Sequence, residues 1–362
     1  MKVMFVANKD ITLFLFRKEL IQKVLDDKHE VVILCPDGPK MKYFIGLGCK
    51  HINIPIDRRG KNPIKEINTI RLINKSIKIV KPDVVFTYTI KPNLYIGLIR
   101  RIKKFKFVPT ITGLGTAVNN KGLLSRALKL VYKISFKNAY QIFFQNKTNL
   151  EWFKAKISQK SKAVLVEGSG VNLNHFTFRE MQDTKVTTFL FLGRIMKDKG
   201  IDELIEASTQ LKDKYKDDIQ IRVAGFFEED YKEIFDTLRE VIDYVGYLDD
   251  TREELINCTA LVLPSYHEGL SNVLLEAQAT GRPVIASNIP GCMETFIDGV
   301  SGFAVQSKNA RDLADKMEAY HLLTYTDKVL MGKNGRLNIE NKFNRENIIK
   351  TYSDLLKGDG LL

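Results

Sequence analysis

The stretch from Thr259 to Gly281 limits the possible fold more than any other part of the chain. Its first residues, Thr259-Ala-Leu-Val-Leu-Pro264, form a short uninterrupted apolar run, which is typical of a strand covered on both faces in a parallel sheet. Pro264 cannot continue the hydrogen-bond ladder, and Gly269 allows a sharp turn. A helix is predicted over residues 273–280, with Gly281 at its end. A buried parallel strand, a glycine turn and a helix predict an α/β fold.

The turn between this strand and this helix is predicted to bind an anion. Ser271 or Asn272 can cap the helix, and the backbone amides of residues 270–274 are expected to point out of its N-terminus. Because that N-terminus lies at the carboxyl end of a sheet, it is the place where open α/β folds bind phosphates and nucleotides.

Two acids accompany the predicted anion site. Glu268 lies in the turn, where it can meet the hydroxyls of a sugar, and Glu276 lies about one helical turn further, where it can accept hydrogen bonds from a ribose diol. The alternative is that Glu276 is a solvated helix acid and Glu268 a capping acid near the helix dipole.

A second strand end supplies two cations. Residues 187–192 predict a strand, and Gly193-Arg-Ile-Met-Lys-Asp-Lys-Gly200 follows as a turn into a helix over residues 201–215. Arg194 and Lys199 therefore lie where a strand end meets a helix start, and there they can flank a diphosphate. Two surface cations placed by chance are the alternative.

Cysteine and histidine usage gives no support for a disulfide framework or a metal site. The four cysteines, at positions 35, 49, 258 and 292, have no close pairs and no metal-ligand spacing, so reduced structural thiols are expected. No Asp-x-Asp occurs, and the five histidines form no paired set, so no metal is expected on a diphosphate. The dinucleotide fingerprint is missing after the first strand, which disfavours a nicotinamide enzyme.

The spacing Glu268-x7-Glu276, with Gly281-Arg-Pro-Val-Ile-Ala after the helix and Gly-Arg-x4-Lys-Gly at residues 193–200, resembles the nucleotide-sugar site of glycosyltransferase family 4. The resemblance implies the GT-B fold, in which two Rossmann-like domains with parallel sheets face each other across a cleft. It implies an acceptor-binding domain over residues 1–173, a nucleotide-sugar domain over 174–342, and a final helix within 343–362 that returns to the first domain. It also implies an enzyme: a retaining hexosyltransferase that uses no metal and no cofactor.

The resemblance assigns roles to individual residues. Arg194, Lys199 and Glu268 would be the catalytic residues: the two cations and the amides stabilise the leaving diphosphate, and Glu268 holds sugar hydroxyls. The main chain at Gly246 and Tyr247 would hold the base. The implied donor-binding residues are Arg194, Lys199, Gly246, Tyr247, Glu268, Gly269, Leu270, Ser271, Asn272, Val273 and Glu276.

The acceptor side is less well defined. Many relatives carry a histidine near residues 112–113, where this chain has Thr112 and Gly113, so no catalytic histidine is expected. The group that takes the acceptor's proton stays open, with the leaving phosphate as one candidate. The acceptor-side candidates are Lys91, Thr112, Gly113, Gly115, Thr116 and Gly170.

The positive charge is concentrated in the first half of the chain. Residues 1–173 contain 33 Lys and Arg against 11 Asp and Glu, and residues 84–150 contain twelve bases and no acid. Nucleic acid, an anionic membrane surface and a solvated basic face are the three interpretations, and no nucleic-acid motif is found. A helix predicted over residues 123–137 has a basic stripe on one face and Leu, Val, Ile and Phe on the other. This pattern is typical of a helix that binds anionic lipid, and equally of an amphipathic helix that packs on its own sheet.

Three further segments resemble transferases that build bacterial surface polysaccharide on a polyprenyl diphosphate: Thr87-Tyr-Thr-Ile-Lys-Pro-Asn93, Gly113-Leu-Gly115 and Pro290-Gly-Cys-x-Glu294. The expected reaction moves a hexose or N-acetylhexosamine, such as GalNAc or GlcNAc, from a UDP-sugar to an undecaprenyl-diphosphate-linked sugar in O-antigen or capsule synthesis. The expected location is the cytoplasm, at the inner face of the cell membrane, because no signal peptide or membrane span is found. A UDP-sugar 2-epimerase on the same fold and a non-catalytic basic binding protein are the alternatives. The sugar, the linkage and the oligomeric state are not determined by the sequence.

Overall fold

The computed structural model describes residues 1–57, 60, 62–113, 123–159 and 161–357. The chain divides into two compact units, Met1–Ser169 together with the segment from Glu346 onward, and Gly170–Arg345. These divisions lie within four residues of the boundaries proposed from the sequence. Each unit has its own parallel sheet.

The first unit alternates strands and helices along the chain. Its elements are β1 (Lys2–Val6), α1 (Asp10–Asp26), β2 (Glu30–Cys35), α2 (Met41–Gly46), β3 (Lys50–Asn53), α3 (Pro63–Val80), β4 (Val84–Tyr88), α4 (Ile90–Arg100), β5 (Lys106–Ile111), α5 (Leu123–Phe136), β6 (Ile142–Phe144), α6 (Lys147–Lys156) and β7 (Ala163–Leu165). The sheet has the order β3-β2-β1-β4-β5-β6-β7, and its neighbours pair in parallel. The chain therefore changes its winding direction between β1 and β4.

The first sheet is buried on both faces, which is why its strands are continuous apolar runs. In β1, Val3 and Phe5 pack into the core on one face, and Met4 and Val6 pack into the core on the other. Helices that cross from one strand to the next cover both faces, as a parallel sheet requires.

The last helix, α13 (Arg345–Lys357), packs on the first sheet. Tyr352 is 1% exposed, and its hydroxyl lies 2.9 Å from Oγ1 of Thr110. Its ring centroid lies 4.5 Å from that of Phe143. The segment after Arg345 is thus part of the first unit although it follows the second one in the chain.

The second unit repeats the same architecture with six strands. Its elements are β8 (Thr187–Leu192), α7 (Ile201–Tyr215), β9 (Ile219–Ala224), α8 (Lys232–Thr237), β10 (Asp243–Gly246), α9 (Arg252–Asn257), β11 (Ala260–Leu263), α10 (Asn272–Ala279), β12 (Val284–Ser287), β13 (Gly302–Val305), α11 (Ala310–His321) and α12 (Tyr325–Lys342). The strand order is β10-β9-β8-β11-β12-β13, again parallel throughout. The two sheets confirm the predicted α/β class with two Rossmann-like domains.

One long helix was not predicted from the sequence. The sequence pattern predicts final helices only over residues 310–321 and 347–356, whereas the structure has α12, with 18 residues, between them. Its buried positions include Gly332 and Gly335, which bring the helix close to its neighbours: a Cβ at Gly332 would lie 2.2 Å from the carbonyl oxygen of Gly281. Because glycines replace large apolar residues on that face, the apolar periodicity that identifies a helix is weak.

Another predicted helix is shorter than expected. The acidic segment of residues 228–240 predicts one continuous helix, whereas α8 covers only Lys232–Thr237. The backbone amide of Glu228 donates to the carbonyl oxygen of Ile195 at 3.0 Å, so the chain there is tied to the loop after β8. That tertiary bond is not visible in a local pattern.

The four cysteines are free and buried. Burial raises the pKa of the Cys35 thiol to about 12 and that of Cys49 to about 11, which keeps both protonated and unreactive. None of the helices in the described ranges has the length and apolar character that crossing a bilayer requires.

Substitution of Gly332 by alanine is expected to lower the free energy of unfolding by about 1–3 kcal/mol, because the added Cβ meets backbone that cannot move aside. Gly46→Ala in α2 is the control, since a Cβ there meets nothing within 4 Å. The control is expected to raise stability by about 0.4–1 kcal/mol. Urea denaturation followed by circular dichroism measures both, and equal effects would contradict the close contact of α12.

Candidate active site

The winding of the second sheet determines where its ligand site can be. The chain proceeds from β8 to β9 and β10 in one direction and from β11 to β12 and β13 in the other, so β8 and β11 are neighbours at the change of direction. In open α/β sheets a ligand crevice forms at the carboxyl ends of such strands. The loops after β8 and β11 are the two that carry Arg194, Lys199, Glu268 and the start of α10.

Two glycines allow these loops to approach each other closely. A Cβ at Gly200 would lie 2.1 Å from the carbonyl oxygen of Pro264, and one at Gly291 would lie 2.6 Å from the carbonyl oxygen of Glu268. Both glycines have positive φ, +74° and +88°. The turn that carries Glu268 is therefore packed between the loop after β8 and the loop after β12, and its backbone position is fixed.

Lys199 and Glu268 form an ion pair, with 2.5 Å between Nζ and Oε1. Their side chains are 16% and 14% exposed, so the pair is shielded but reachable from solvent. An ammonium has three protons and a carboxylate has four lone-pair positions, so each partner retains capacity for a ligand. The structure thus brings together two residues that lie far apart in the chain.

Arg194 also has an acidic partner. Its Nη1 lies 3.0 Å from Oε2 of Glu228, in the segment after β9. Glu228 was not among the predicted site residues, because nothing in the local pattern around it indicates contact with the turn after β8. Both predicted cations are therefore charge-paired within the second unit.

The start of α10 differs in one respect from the prediction. The amide of Ser271 was expected to be unpaired, but it donates to the carbonyl oxygen of Gly291 at 2.8 Å. Ser271 occupies the N-cap position without a side-chain cap bond, so its hydroxyl does not cover the amides of the first turn. Leu270 is buried in the core, and Gly269 and Val273 are partly buried.

Two unpartnered oxygens flank this turn. Within the described part of the chain, Oγ of Ser265 and Oδ1 of Asn272 have no hydrogen-bond partner although both atoms are buried. A buried polar atom without a partner is rare in a native protein. Their position beside an uncapped helix start suits a polar ligand.

Glu276 is a partly buried residue in the second turn of α10. Burial raises its pKa from 4.5 to about 7, and the nearby Arg345 guanidinium opposes that rise. At neutral pH the carboxyl therefore exists in both protonation states, and each of them can hydrogen-bond to a diol.

Gly246 and Tyr247 lie at the carboxyl end of β10. Gly246 has a φ of +93°, and Tyr247 is 60% exposed. The ring of Phe226, at the end of the adjacent β9, lies 6.2 Å from the Tyr247 ring and is 45% exposed. Phe226 was not among the predicted site residues. Two exposed aromatic rings side by side form a surface on which a base can stack.

The acceptor-side predictions have mixed outcomes. Lys91 is not a free cation: its Nζ lies 2.6 Å from Oε1 of Glu66 and also donates to the carbonyl oxygen of Gly60. Thr112 and Gly113 follow β5 in the first unit, whereas Gly115 and Thr116 lie outside the described residues.

Gly170 belongs to the second unit, where a Cβ would lie 2.6 Å from Cα of Arg345. Its carbonyl oxygen accepts hydrogen bonds from Nε and Nη2 of that arginine. Its φ of +63° and this contact account for a glycine there without any ligand.

The described residues contain no group of three or more His, Cys, Asp or Glu side chains that could hold a metal ion. The site therefore contributes cations and amides, and independence from a metal remains a prediction.

The raised pKa of Glu276 predicts a pH-dependent stability. A carboxyl whose pKa is higher in the folded state stabilises the fold below about pH 4.5, and that contribution is lost as the pH rises through about 7. At pH 8, Glu276→Gln is therefore expected to have a free energy of unfolding on the order of 2 kcal/mol above that of the wild type, and hence a higher melting temperature. Near pH 4.5 the two proteins are expected to have the same stability. Thermal denaturation across this range is the measurement. The exposed Glu253→Gln is the control for loss of one negative charge, and an equal wild-type and Glu276→Gln profile would contradict the prediction.

Comparison with known families and structures agrees with this geometry. Residues 2–146 match the family model for "Glycosyl transferase 4-like" domains, and residues 176–337 match the model for "Glycosyl transferases group 1". Among solved structures, a sucrose-phosphate synthase from Thermosynechococcus elongatus superimposes with a TM-score of 0.81 over 99% of this chain and 98% of its own, at 18% identity. The Anabaena protein HepE in complex with UDP-glucose gives a TM-score of 0.79 over 99% and 100%, at 15% identity.

Curated proteins with similar sequences are also glycosyltransferases. An N,N'-diacetylbacillosaminyl-diphospho-undecaprenol alpha-1,3-N-acetylgalactosaminyltransferase from Campylobacter jejuni is 27% identical over 88% of both chains. The capsular polysaccharide biosynthesis glycosyltransferase CapM from Staphylococcus aureus is 32% identical over 46% of both chains. Two family models that together match most of the chain, on two parallel sheets of GT-B type, establish its class. The chain belongs to the group 1 and 4-like glycosyl transferases and is a glycosyltransferase of the GT-B fold.

Proposed function

We propose that this glycosyltransferase moves a hexose or N-acetylhexosamine from a UDP-sugar to a sugar carried on undecaprenyl diphosphate, with retention of configuration, in O-antigen or capsule synthesis. The observation that carries the proposal is the shielded Lys199–Glu268 pair beside the uncapped start of α10. It supplies a cation for a phosphate and a carboxylate for sugar hydroxyls in one place. The Campylobacter relative, which acts on a diphospho-undecaprenol-linked sugar, supports the choice of acceptor.

In this proposal the donor's diphosphate binds at the first-turn amides of α10. Arg194 and Lys199 add positive charge on the side of β8, and Ser265 and Asn272 offer their unpartnered oxygens to polar groups of the donor or to water. Charge develops on the leaving diphosphate as the sugar–oxygen bond breaks, so cations already held in place stabilise the transition state more than the ground state.

The carboxylates paired with Arg194 and Lys199 affect both the orientation of these cations and the type of ligand that they bind. Glu268 keeps Lys199 oriented before the donor arrives, and its remaining lone pairs accept hydrogen bonds from sugar hydroxyls. Glu228 likewise keeps Arg194 oriented through its own ion pair. Paired cations also bind free phosphate less strongly than unpaired ones, which favours a ligand that contacts both the cation and the acid.

Glu276 would hold the ribose diol, and the rings of Phe226 and Tyr247 would face the base. The pair of exposed rings extends the prediction that the main chain at Gly246 and Tyr247 holds the base.

The proposed location is the inner face of the cell membrane. Within the acid-free stretch of residues 84–150, Ile102 is 81% exposed beside the exposed bases Arg101 and Lys104, and Leu130 on α5 is 58% exposed. Basic residues interspersed with exposed apolar side chains suit an anionic bilayer, where an undecaprenyl-linked acceptor resides.

The test of the reaction is a panel of UDP-sugars with a synthetic lipid-diphosphate sugar in anionic vesicles. We expect one donor to be consumed only when acceptor is present, and NMR of the product to show the anomeric configuration of the donor retained. Epimer formation from a UDP-sugar alone would instead indicate the epimerase, and an inverted linkage would contradict the retaining mechanism.

Lys199→Met is expected to lower the transfer rate by about 100-fold, because it removes a positive charge that faces the leaving group. Lys197→Met, in the same turn but 67% exposed and paired with Asp202 at 3.5 Å, is the matched control and is expected to change the rate less than threefold. Initial rates at saturating donor measure both, and similar losses in the two variants would argue against a role for Lys199.

Phe226→Ala is expected to weaken binding of uridine diphosphate by about tenfold, since stacking of a base on an aromatic ring contributes about 1–3 kcal/mol. Binding of inorganic pyrophosphate, which has no base, is expected to be unaffected. Calorimetric titration of both ligands provides the measurement, and a parallel loss for both would rule out base stacking.

A further inference from the structure

A buried cation with no counterion among the described residues lies in the first unit, outside the proposed donor site. Arg17, on the inner face of α1, is 3% exposed. Its guanidinium carbon lies 4.6 Å from the ring centroid of Tyr88 and 5.5 Å from that of Tyr352. Its Nη1 donates to the carbonyl oxygen of Phe16 at 2.8 Å, and its Nε has no hydrogen-bond partner.

No acid among the described residues forms an ion pair with Arg17. Asp10, on the same buried face of α1, instead accepts a hydrogen bond from the amide of Lys40 at 2.7 Å. Burial of a charged guanidinium is unfavourable unless the charge is paired and hydrogen-bonded, and a bound anion would supply both. The two aromatic faces stabilise the cation in part, but they supply no full negative charge.

Two further buried polar groups lie at the end of β4, whose last residue, Tyr88, contacts Arg17 through its ring. The hydroxyl of Tyr88 and Oγ1 of Thr89 are buried and have no hydrogen-bond partner within the described residues. Burial raises the pKa of Tyr88, so its hydroxyl stays protonated and can donate. A guanidinium nitrogen, a phenol and an alcohol are all hydrogen-bond donors, which is the set that an oxyanion requires.

The backbone at Thr89 is strained. Its φ is +71°, a conformation that a β-branched residue adopts only at a cost, and Thr89 occupies the N-cap of α4 without a side-chain cap bond. Such strain concentrates at ligand sites. The buried Asn93 bridges Thr87 and the carbonyl oxygen of Thr110, which keeps this end of α4 in place.

The location of the cluster agrees with a binding site. Tyr88 ends β4, and β4 is the neighbour of β1 where the first sheet changes its winding direction. This is the same topological position as the donor crevice of the second sheet, but formed by separate residues in a separate unit. Lys91, in the same helix start, already has Glu66 as its charge partner, so Arg17 is the better candidate for an anion.

We infer that Arg17, Tyr88 and Thr89 form an oxyanion site that holds the diphosphate of the lipid-linked acceptor. The inference rests on the proposed function, in which each of the two substrates carries a diphosphate. The donor's diphosphate is assigned to the second unit, and the acceptor's needs a cationic site of its own. Arg17 binds this group in the ground state and is a positioning residue, because the acceptor's diphosphate is not cleaved in the transfer.

The test measures binding of farnesyl diphosphate, a short soluble analogue of the acceptor's lipid diphosphate, in the presence of saturating uridine diphosphate to block the donor site. Arg17→Met keeps the apolar stem and is expected to weaken this binding at least tenfold. Arg71→Met on the exposed face of α3 is the matched control and is expected to change it less than twofold. Farnesol, which lacks the diphosphate, is expected to bind both variants and the wild type equally.

Tyr88→Phe provides a second variant that is expected to fold normally, since it removes a buried hydroxyl that has no partner and keeps the ring that Arg17 contacts. It is expected to weaken farnesyl diphosphate binding severalfold without lowering the melting temperature. In the transfer assay both variants are expected to raise the acceptor KM while kcat at saturating acceptor stays within about threefold of the wild type.

Three outcomes separate this inference from the proposed function. Unchanged farnesyl diphosphate affinity in Arg17→Met and Tyr88→Phe would overturn the site while leaving the transferase proposal intact. A parallel loss of uridine diphosphate affinity in these variants would also overturn it, because the effect would then be global. Binding that depends on Arg17, in a protein that transfers no sugar to any lipid diphosphate, would support the anion site and contradict the proposed acceptor reaction.

Discussion

The contact between Gly200 and Pro264 is the constraint on which the proposed donor site depends. Only glycine allows the turn after β8 to approach the end of β11 so closely. A Cβ atom at position 200 would lie 2.1 Å from the carbonyl oxygen of Pro264, which is too close for any other residue. The approach places Lys199 against Glu268, and Gly291 supports the same turn from the other side. The ion pair is therefore a consequence of backbone packing, and the side chains are oriented before any ligand binds.

Buried cations are compensated differently in the two units. In the second unit, the cations Arg194 and Lys199 each have a carboxylate within 3.0 Å, so the unliganded site is electrostatically balanced. In the first unit, Arg17 has aromatic faces and a carbonyl group but no acid among the described residues. A balanced site suits a ligand that brings both hydroxyls and phosphates, whereas an unbalanced one suits a simple anion. This difference in charge compensation is the physical reason why we propose a sugar nucleotide as the ligand of the second unit and a lipid diphosphate as the ligand of the first.

Local patterns were reliable where one strand, one turn and one helix follow each other directly. The apolar run before Pro264, the glycine turn and the helix after Ser271 were all predicted, and the structure has β11, the turn and α10 at these positions. The pattern failed at α12, where Gly332 and Gly335 make the buried face without large apolar side chains. It also failed at the amide of Ser271, whose acceptor, the carbonyl of Gly291, comes from a loop 20 residues further along the chain.

The sequence by itself determined the class of fold, the order of strands and helices apart from α12, and the residue types available to a nucleotide-sugar site, because these depend on periodicity and on short spacings. The tertiary structure alone decided which charges meet. Glu228, Phe226 and Arg17 carry no local signal, since their partners come from other strands and helices. Pairing between distant residues depends on the register and winding of the sheets, and a single sequence read along its length contains neither.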